Sequence, residues 1–161
     1  MSRDFDFQIG SWRVTHKRLR VRFVGSDDWE TFSGTSVMRP VLGGAGNIED
    51  NVLHISTGTY RAIALRSYDP AKKTWAIWWL DDRSPHTLVV PVIGSFADGV
   101  GTFLAVDTSG DTPVHFRFLW LHTDTSMPRW VQALSVDGGE TWETNWTMDF
   151  ERDEEAPGLK A

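Results

Sequence analysis

The chain has 161 residues, of which 40% are hydrophobic and 24% are charged, as expected of one globular domain. Because it contains no cysteine, disulfide scaffolds, thiol catalysis, iron–sulfur clusters and cysteine-ligated zinc are excluded. Its 16 basic and 22 acidic residues give a net charge of −6 at pH 7, which argues against nucleic acid or an anionic membrane as a partner.

The N-terminal sequence gives no indication of a targeting segment. Residues 1–12 lack the apolar stretch of a secretory signal, and no apolar run approaches the length of a membrane span. We therefore expect a cytoplasmic protein. Residues 1–152 are predicted to form one domain, and the acidic segment 153–161 is predicted to be a flexible tail.

Ten short runs of β-branched and aromatic residues alternate with turn residues, and no window has the apolar spacing of an amphipathic helix. Such a pattern predicts an all-β fold, a closed antiparallel up-and-down barrel of about ten strands, because closure removes exposed strand edges. The predicted strands cover residues 11–24, 29–39, 46–55, 59–68, 74–82, 86–94, 100–107, 112–123, 129–136 and 142–152.

The first and last strands are predicted to pair, as closure requires. If Trp12 points inward, Arg13 and Lys17 point outward and would face acidic residues of the last strand. Apolar residues of the opposite phase follow, which predicts a β-bulge near Lys17–Leu19. On the last strand, Trp146, Met148 and Phe150 are expected inward, and Glu143, Asp149 and Glu151 outward.

Gly10-Ser11-Trp12 opens the first strand, and Arg152 ends the last one. This combination resembles the signature of the lipocalins and the wider calycins. In those barrels the tryptophan closes one end and the arginine stacks across it as a cation–π contact. The resemblance implies the same structural role for Trp12 and Arg152, with residues 5–9 covering that end.

A second motif, Ser135-x-Asp137-x-Gly139-x-Thr141-Trp142, matches the Asp-box pattern. In that motif the aspartate holds a tight hairpin turn by local hydrogen bonds, and the tryptophan packs beneath it. Sialidases carry one copy per propeller blade, whereas this chain has a single copy. We therefore interpret the motif as hairpin chemistry and not as a sign of glycosidase activity.

Residues 4–152 as a whole resemble the bacterial lipocalin-like barrels grouped as domain of unknown function 1579. The resemblance implies a calycin-like barrel of about ten strands but little about activity, since a fold does not determine function. The segments that carry it include Asp4-Phe5-Asp6-Phe7, Gly44-x-Gly46-Asn47-x-Glu49-x-Asn51, Ser67-Tyr68-Asp69-Pro70, Trp75-x-Ile77-Trp78-Trp79-Leu80-Asp81 and Thr141-Trp142-Glu143-x-Asn145-Trp146-x-Met148.

The chain contains nine tryptophans, and several share a strand face with polar residues. Inward-facing indoles with a few polar groups would form a cavity for a small apolar or aromatic molecule. The predicted ligand-binding residues are His16, Arg18, Glu49, Asn51, Arg66, Trp79, Asp81, Trp120, Gln132 and Trp146.

Two other functions stay open at this point. One is a small-molecule isomerase, lyase or cyclase, in which Asp81 or Glu49 would act as a buried acid–base with a raised pKa. The other is an interaction domain with a solid core, in which the polar groups satisfy one another. The sequence does not decide between a monomer and a homodimer.

No metal site is predicted, because the five histidines form neither H-x-H nor H-E-x-x-H. No other cofactor is expected, apart from one alternative. A haem held by one histidine, as in nitrobindin-type ten-stranded barrels, would use His115 or His122.

Overall fold

Ten antiparallel strands form a closed barrel, which confirms the predicted all-β architecture. The structure is a computed structural model and describes residues 1–155. Each strand pairs with the next along the chain, and the first pairs with the last. The strands are β1 (Gly10–Leu19), β2 (Trp29–Val41), β3 (Gly46–Ile55), β4 (Gly58–Asp69), β5 (Thr74–Asp81), β6 (Val92–Ala97), β7 (Val100–Asp107), β8 (Val114–Leu121), β9 (Arg129–Ser135) and β10 (Glu143–Arg152).

Most strand boundaries agree with the sequence within two or three residues, and the largest difference lies before β6. The run 86–91 was predicted as strand but forms a loop. Pro85 and Pro91 flank it and lack the N–H that strand pairing uses. As a result, β5 and β6 pair only over Trp75–Ile77, and the loop covers the remainder of β5.

The predicted bulge in β1 is wrong. Pairing of β1 with both neighbours is continuous, and β1 ends at Leu19 instead of residue 24. The prediction rested on three apolar residues of opposite phase: Leu19 is buried as the last residue of β1, whereas Val21 and Phe23 are exposed in the loop that follows. A bulge does occur in β10, where Asn145 is the extra residue between Thr144 and Trp146.

Because of the bulge in β10, Glu143 does not point in the predicted direction. Glu143 lies opposite Leu134, which is buried, so it does not share the outward face predicted for it. The other expected contacts of this seam are partly present. Arg13 lies opposite Glu151, whereas Lys17 lies opposite Thr147.

The end of the barrel near the N-terminus is closed as the resemblance implied. The guanidinium of Arg152 stacks on the Trp12 ring at 3.8 Å and donates hydrogen bonds to the carbonyl oxygens of Phe7 and Ile9. Trp12 Nε1 donates to the Gln8 carbonyl at 2.8 Å. Because Phe5 is buried against Trp75, Phe96, Phe103 and Trp120, this N-terminal segment is part of the core.

The Asp-box segment forms the predicted hairpin turn. Asp137 accepts hydrogen bonds from the Thr141 backbone N–H at 2.9 Å and from the Ser135 hydroxyl at 2.7 Å. Hydrogen bonds from Thr141 and Ser135 hold the pKa of Asp137 well below its usual range. Trp142 Nε1 donates to the Gly139 carbonyl at 3.0 Å. The motif is therefore structural in this chain.

Asp153, the first residue of the predicted tail, is bound to the barrel. The Asp153 N–H donates to the Ser11 carbonyl at 2.9 Å, and its carboxylate lies 3.5 Å from Arg13. The remaining tail residues, 156–161, lie outside the described residues. Within residues 1–155, no helix has the length and apolar character needed to cross a bilayer.

Candidate functional site

Two adjoining cavities occupy the barrel interior and share the side chains of Trp79, Phe118 and Trp130. The mouth cavity has a volume of about 160 Å³ and opens at the end opposite Trp12. The inner cavity, of about 30 Å³, lies deeper. The mouth cavity is lined by Arg22, Trp79, Val89, Val90, Val92, Phe116, Phe118, Trp130, Gln132 and Trp146.

The aromatic walls of the mouth cavity follow from strand alternation. On β8 and β9, Phe116 and Phe118 face the interior, as do Trp130 and Gln132 across the strand pair. Two further lining residues, Val89 and Val90, come from the loop before β6. The Val89 N–H donates to the Trp79 carbonyl at 3.1 Å, which holds this loop against β5.

Edge-to-face contacts fix the indole rings of the mouth cavity. The ring of Trp146 lies 5.7 Å from that of Trp79 and 5.3 Å from that of Trp130, and both pairs are nearly perpendicular. Phe118 contacts Trp130 in the same manner at 4.9 Å. Since each ring is braced by another, the cavity walls are pre-organised for a flat ligand.

His16, a predicted ligand-binding residue, lies behind this wall and not in it. Its ring is buried, stacks on Phe32 at 4.6 Å, and accepts a hydrogen bond at Nδ1 from Trp146 Nε1 at 3.1 Å. Burial, with a further contribution from the charge of Arg18, lowers the pKa of His16 to about 3. His16 is therefore a neutral acceptor that positions Trp146.

This lowered pKa predicts a loss of stability in mild acid. In the unfolded chain His16 titrates near 6.5, so between about pH 6.5 and pH 3 the unfolded state binds more protons than the folded state. The free energy of unfolding is then expected to fall by about 2 kcal/mol between pH 7 and pH 5 through this group. Urea denaturation at the two pH values measures the change.

The control for this prediction is His16→Asn, which keeps an acceptor near the position of Nδ1 but does not titrate. Its stability should fall by about 2 kcal/mol less than that of the wild type over the same pH range. Equal pH dependence of the two proteins would show that His16 accepts a proton in the folded state.

The inner cavity is bordered by a buried ion pair between Glu49 and Arg66. Each side chain is at most 4% exposed. Glu49 also accepts a hydrogen bond from the Ser36 hydroxyl at 2.7 Å, and Arg66 donates to Asn47 Oδ1 at 2.9 Å. The charges are thus neutralised within the protein, and Glu49 is not a free acceptor for a ligand.

Asn51 and Trp120 complete the predicted polar interior. Asn51 is buried, and its nearest acceptor is the backbone oxygen of Glu49 at 3.4 Å. Two buried donors that border the inner cavity, Arg66 Nε and Trp120 Nε1, have no hydrogen-bond partner among residues 1–155. Since about 30 Å³ is the share of one water molecule in the liquid, the inner cavity suits one small acceptor.

Asp81 lies at the rim of the barrel and lines neither cavity. It accepts a hydrogen bond from Trp79 Nε1 at 3.1 Å and a bidentate pair from Arg83 at 3.0 and 3.1 Å. Partial burial raises the pKa of Asp81. The hydrogen bonds from Arg83 and Trp79 lower this pKa by a larger amount in total, so the net shift is downward. The expectation of a raised pKa at this carboxyl is therefore wrong.

Two further arginines lie at the mouth. Arg18 donates to the Tyr60 hydroxyl at 2.9 Å, and its guanidinium lies 5.1 Å from the ring centres of both Phe32 and Trp146. Among residues 1–155, Arg22 is the one charged residue in the lining of the mouth cavity. Gln132 also lines this cavity and donates to Asn145 Oδ1 at 3.2 Å.

Nine of the ten predicted ligand-binding residues line the inner or the mouth cavity or contact a lining side chain, and Asp81 does so through its hydrogen bond from Trp79. Asn51 lines neither cavity. The site as predicted lacked three lining residues from loops, Arg22, Val89 and Val90. No periodicity could have identified them, because loop residues do not alternate. Three further lining residues lie at inward positions of strands but are not among the predicted ligand-binding residues: Phe116, Phe118 and Trp130.

The histidines suggested for haem do not face the interior. His115 alternates with Phe116 on β8 and borders an open hollow on the outer surface. His122 follows the end of β8, where it is exposed in a turn with φ of 55°. Neither lines the inner cavity or the mouth cavity. In residues 1–155, no three or more His, Asp or Glu side chains cluster in a way that could hold a metal ion.

No protein-family model matches the chain, and no curated protein matches it in sequence. The closed ten-stranded barrel agrees with the architecture implied by the resemblance to lipocalin-like proteins. Membership of that group stays a prediction from the motifs, so function has to be argued from the site itself.

Proposed function

We propose that the protein binds a small aromatic or apolar molecule in the mouth cavity. The observation that carries this proposal is the set of braced indole rings around a volume of about 160 Å³ that is open to solvent. An apolar cavity of about 150 Å³ is large enough for benzene, so one aromatic ring can enter. The inner cavity is too small for a ring and would take one polar atom.

The paired carboxylates and the open volume of the interior favour a binding protein over an enzyme or a solid-core domain. Glu49 and Asp81 are each engaged by an arginine, and the pKa of Asp81 is lowered, which makes it a weak base. An acid–base enzyme would need a carboxyl group with the opposite shift. A domain with a solid core would not leave an open volume between rigid aromatic rings.

The test is the binding of a neutral aromatic probe, 3-phenylpropionamide, measured by isothermal titration calorimetry. The wild type should bind it, and Trp79→Ala should weaken binding about tenfold because an edge-to-face wall of the cavity is lost. Melting curves establish that the variant is folded.

The matched control is Trp78→Ala, which removes the neighbouring indole of the same strand, opposite Leu65 on the outward face. Its affinity for the probe should equal that of the wild type. Absence of binding to the wild type, or an equal loss in both variants, would contradict the proposal.

A further inference from the structure

The charges at the barrel mouth are not balanced locally. Among residues 1–155, neither Arg18 nor Arg22 has a carboxylate within 4 Å, whereas Arg83 is paired with Asp81 and Arg20 with Asp28. Arg22 lines the mouth cavity, and Arg18 packs against Trp146 of the same cavity, so the two cations lie at one end of the barrel. Although the Arg22 residue as a whole is exposed, desolvation of its guanidinium and the repulsion from Arg18 lower its pKa, and the charge of Glu143 raises it.

The carboxylates on neighbouring elements are already engaged elsewhere. Glu30 lies opposite Arg18 in the β1–β2 pairing but accepts the Ser56 N–H at 2.9 Å and lies 3.7 Å from Arg20. Glu143 acts on Arg22 by its charge alone, and it accepts the Phe23 N–H at 2.9 Å. Among residues 1–155, two cations at this end are therefore left without a carboxylate partner: Arg22, which lines the mouth cavity, and Arg18, which packs against Trp146 of its wall.

Arg18 is held in a defined position. Its guanidinium contacts the rings of Phe32 and Trp146 and donates one of its hydrogen bonds to Tyr60. An arginine fixed by stacking retains other N–H groups for a planar oxygen acceptor, at a lower entropic cost than a free side chain. Trp146 itself lines the mouth cavity, so Arg18 lies directly behind the place where a ligand ring would stack.

We infer that the ligand of the mouth cavity is an anion, with its ring between the indoles and a carboxylate or similar oxygen head group at Arg22 and Arg18. This inference rests on the proposed function and names the class of ligand. A charged head group would remove the repulsion between the two guanidinium groups and would remain near solvent, where its desolvation costs least.

The experiment compares 3-phenylpropionate with 3-phenylpropionamide, which share ring and spacer but differ in charge. By calorimetry at low ionic strength, the wild type should bind the acid at least about tenfold more tightly than the amide. The preference should shrink as salt is added, because the cations are near the surface. Arg22→Gln should weaken binding of the acid about tenfold more than it weakens binding of the amide, because only the acid loses a charge partner.

Lys17→Gln is the matched control, since it removes one positive charge from the outward face of the strand that carries Arg18. It should leave the preference for the acid unchanged. Arg18→Gln should act like Arg22→Gln, and if it does not fold, Arg22→Gln decides alone because that side chain is exposed.

The outcomes separate the inference from the proposed function. Equal affinity of the wild type for acid and amide would overturn the inference and leave the proposed function standing. An equal loss of both ligands in Arg22→Gln would also overturn it, because Arg22 would then act only as a wall. If neither compound binds, both proposals fail.

Discussion

Trp12→Ala is expected to lower the free energy of unfolding by about 3–5 kcal/mol, as found for large buried aromatic side chains. The Trp12 ring is 2% exposed, contacts Phe150 edge to face, and is covered by the guanidinium of Arg152. Its removal leaves a cavity at the closed end and takes away the acceptor surface of a cation–π contact. Urea denaturation followed by circular dichroism measures the effect.

The conservative variant Trp12→Phe separates the ring from its hydrogen bond. This variant loses the hydrogen bond to the Gln8 carbonyl but keeps an aromatic surface for Arg152. Its free energy of unfolding should therefore fall clearly less than that of the alanine variant. If Trp12→Ala unfolds at the same urea concentration as the wild type, the contacts of the Trp12 ring do not contribute to the free energy of unfolding.

The second large effect is expected at the buried ion pair. Glu49→Leu should cost about 3–5 kcal/mol of unfolding free energy, because it leaves the charge of Arg66 buried without a carboxylate. The rings of Phe5 and Trp120, at 4.8 and 5.7 Å from the guanidinium carbon, compensate this charge only in part.

Pairing this change with Arg66→Met tests the explanation. The double variant has no buried charge and similar side-chain volume, so it should recover most of the lost stability. A single variant that unfolds within about 1 kcal/mol of the wild type would mean that water reaches Arg66, since a surface ion pair contributes no more than this. Such a result would contradict the burial seen here.

The fold was predictable because alternation is regular over most strands. In β5, Trp75 and Ile77 are buried at every second position, as an inward face requires. Prediction failed where composition and backbone chemistry disagree. Leu88, Val89 and Val90 have the composition of a strand, but the prolines on both sides and the early end of β5 pairing leave them in a loop.

The candidate site was predictable only as a list of inward residues. Parity places Glu49 and Asp81 on inner faces, but it does not show which cation each one meets. Glu49 pairs with Arg66 across the β3–β4 ladder, whereas Asp81 pairs with Arg83 two residues along the chain. Such partners depend on register and on turn geometry, because a one-residue shift of register moves every side chain of a strand to the opposite face.

The residues that stabilise the closed end differ from those that line the mouth. Trp12, Arg152 and the Glu49–Arg66 pair are expected to contribute much of the stability, and none of them lines the mouth cavity. Arg22, Val89 and Val90 line the mouth from loops and take part in no strand pairing. Under the proposed binding function, we expect substitutions at these three positions to change ligand selectivity at little cost in stability. Selection for folding and selection for recognition would then act on separate residues, and new specificities could evolve on an unchanged barrel.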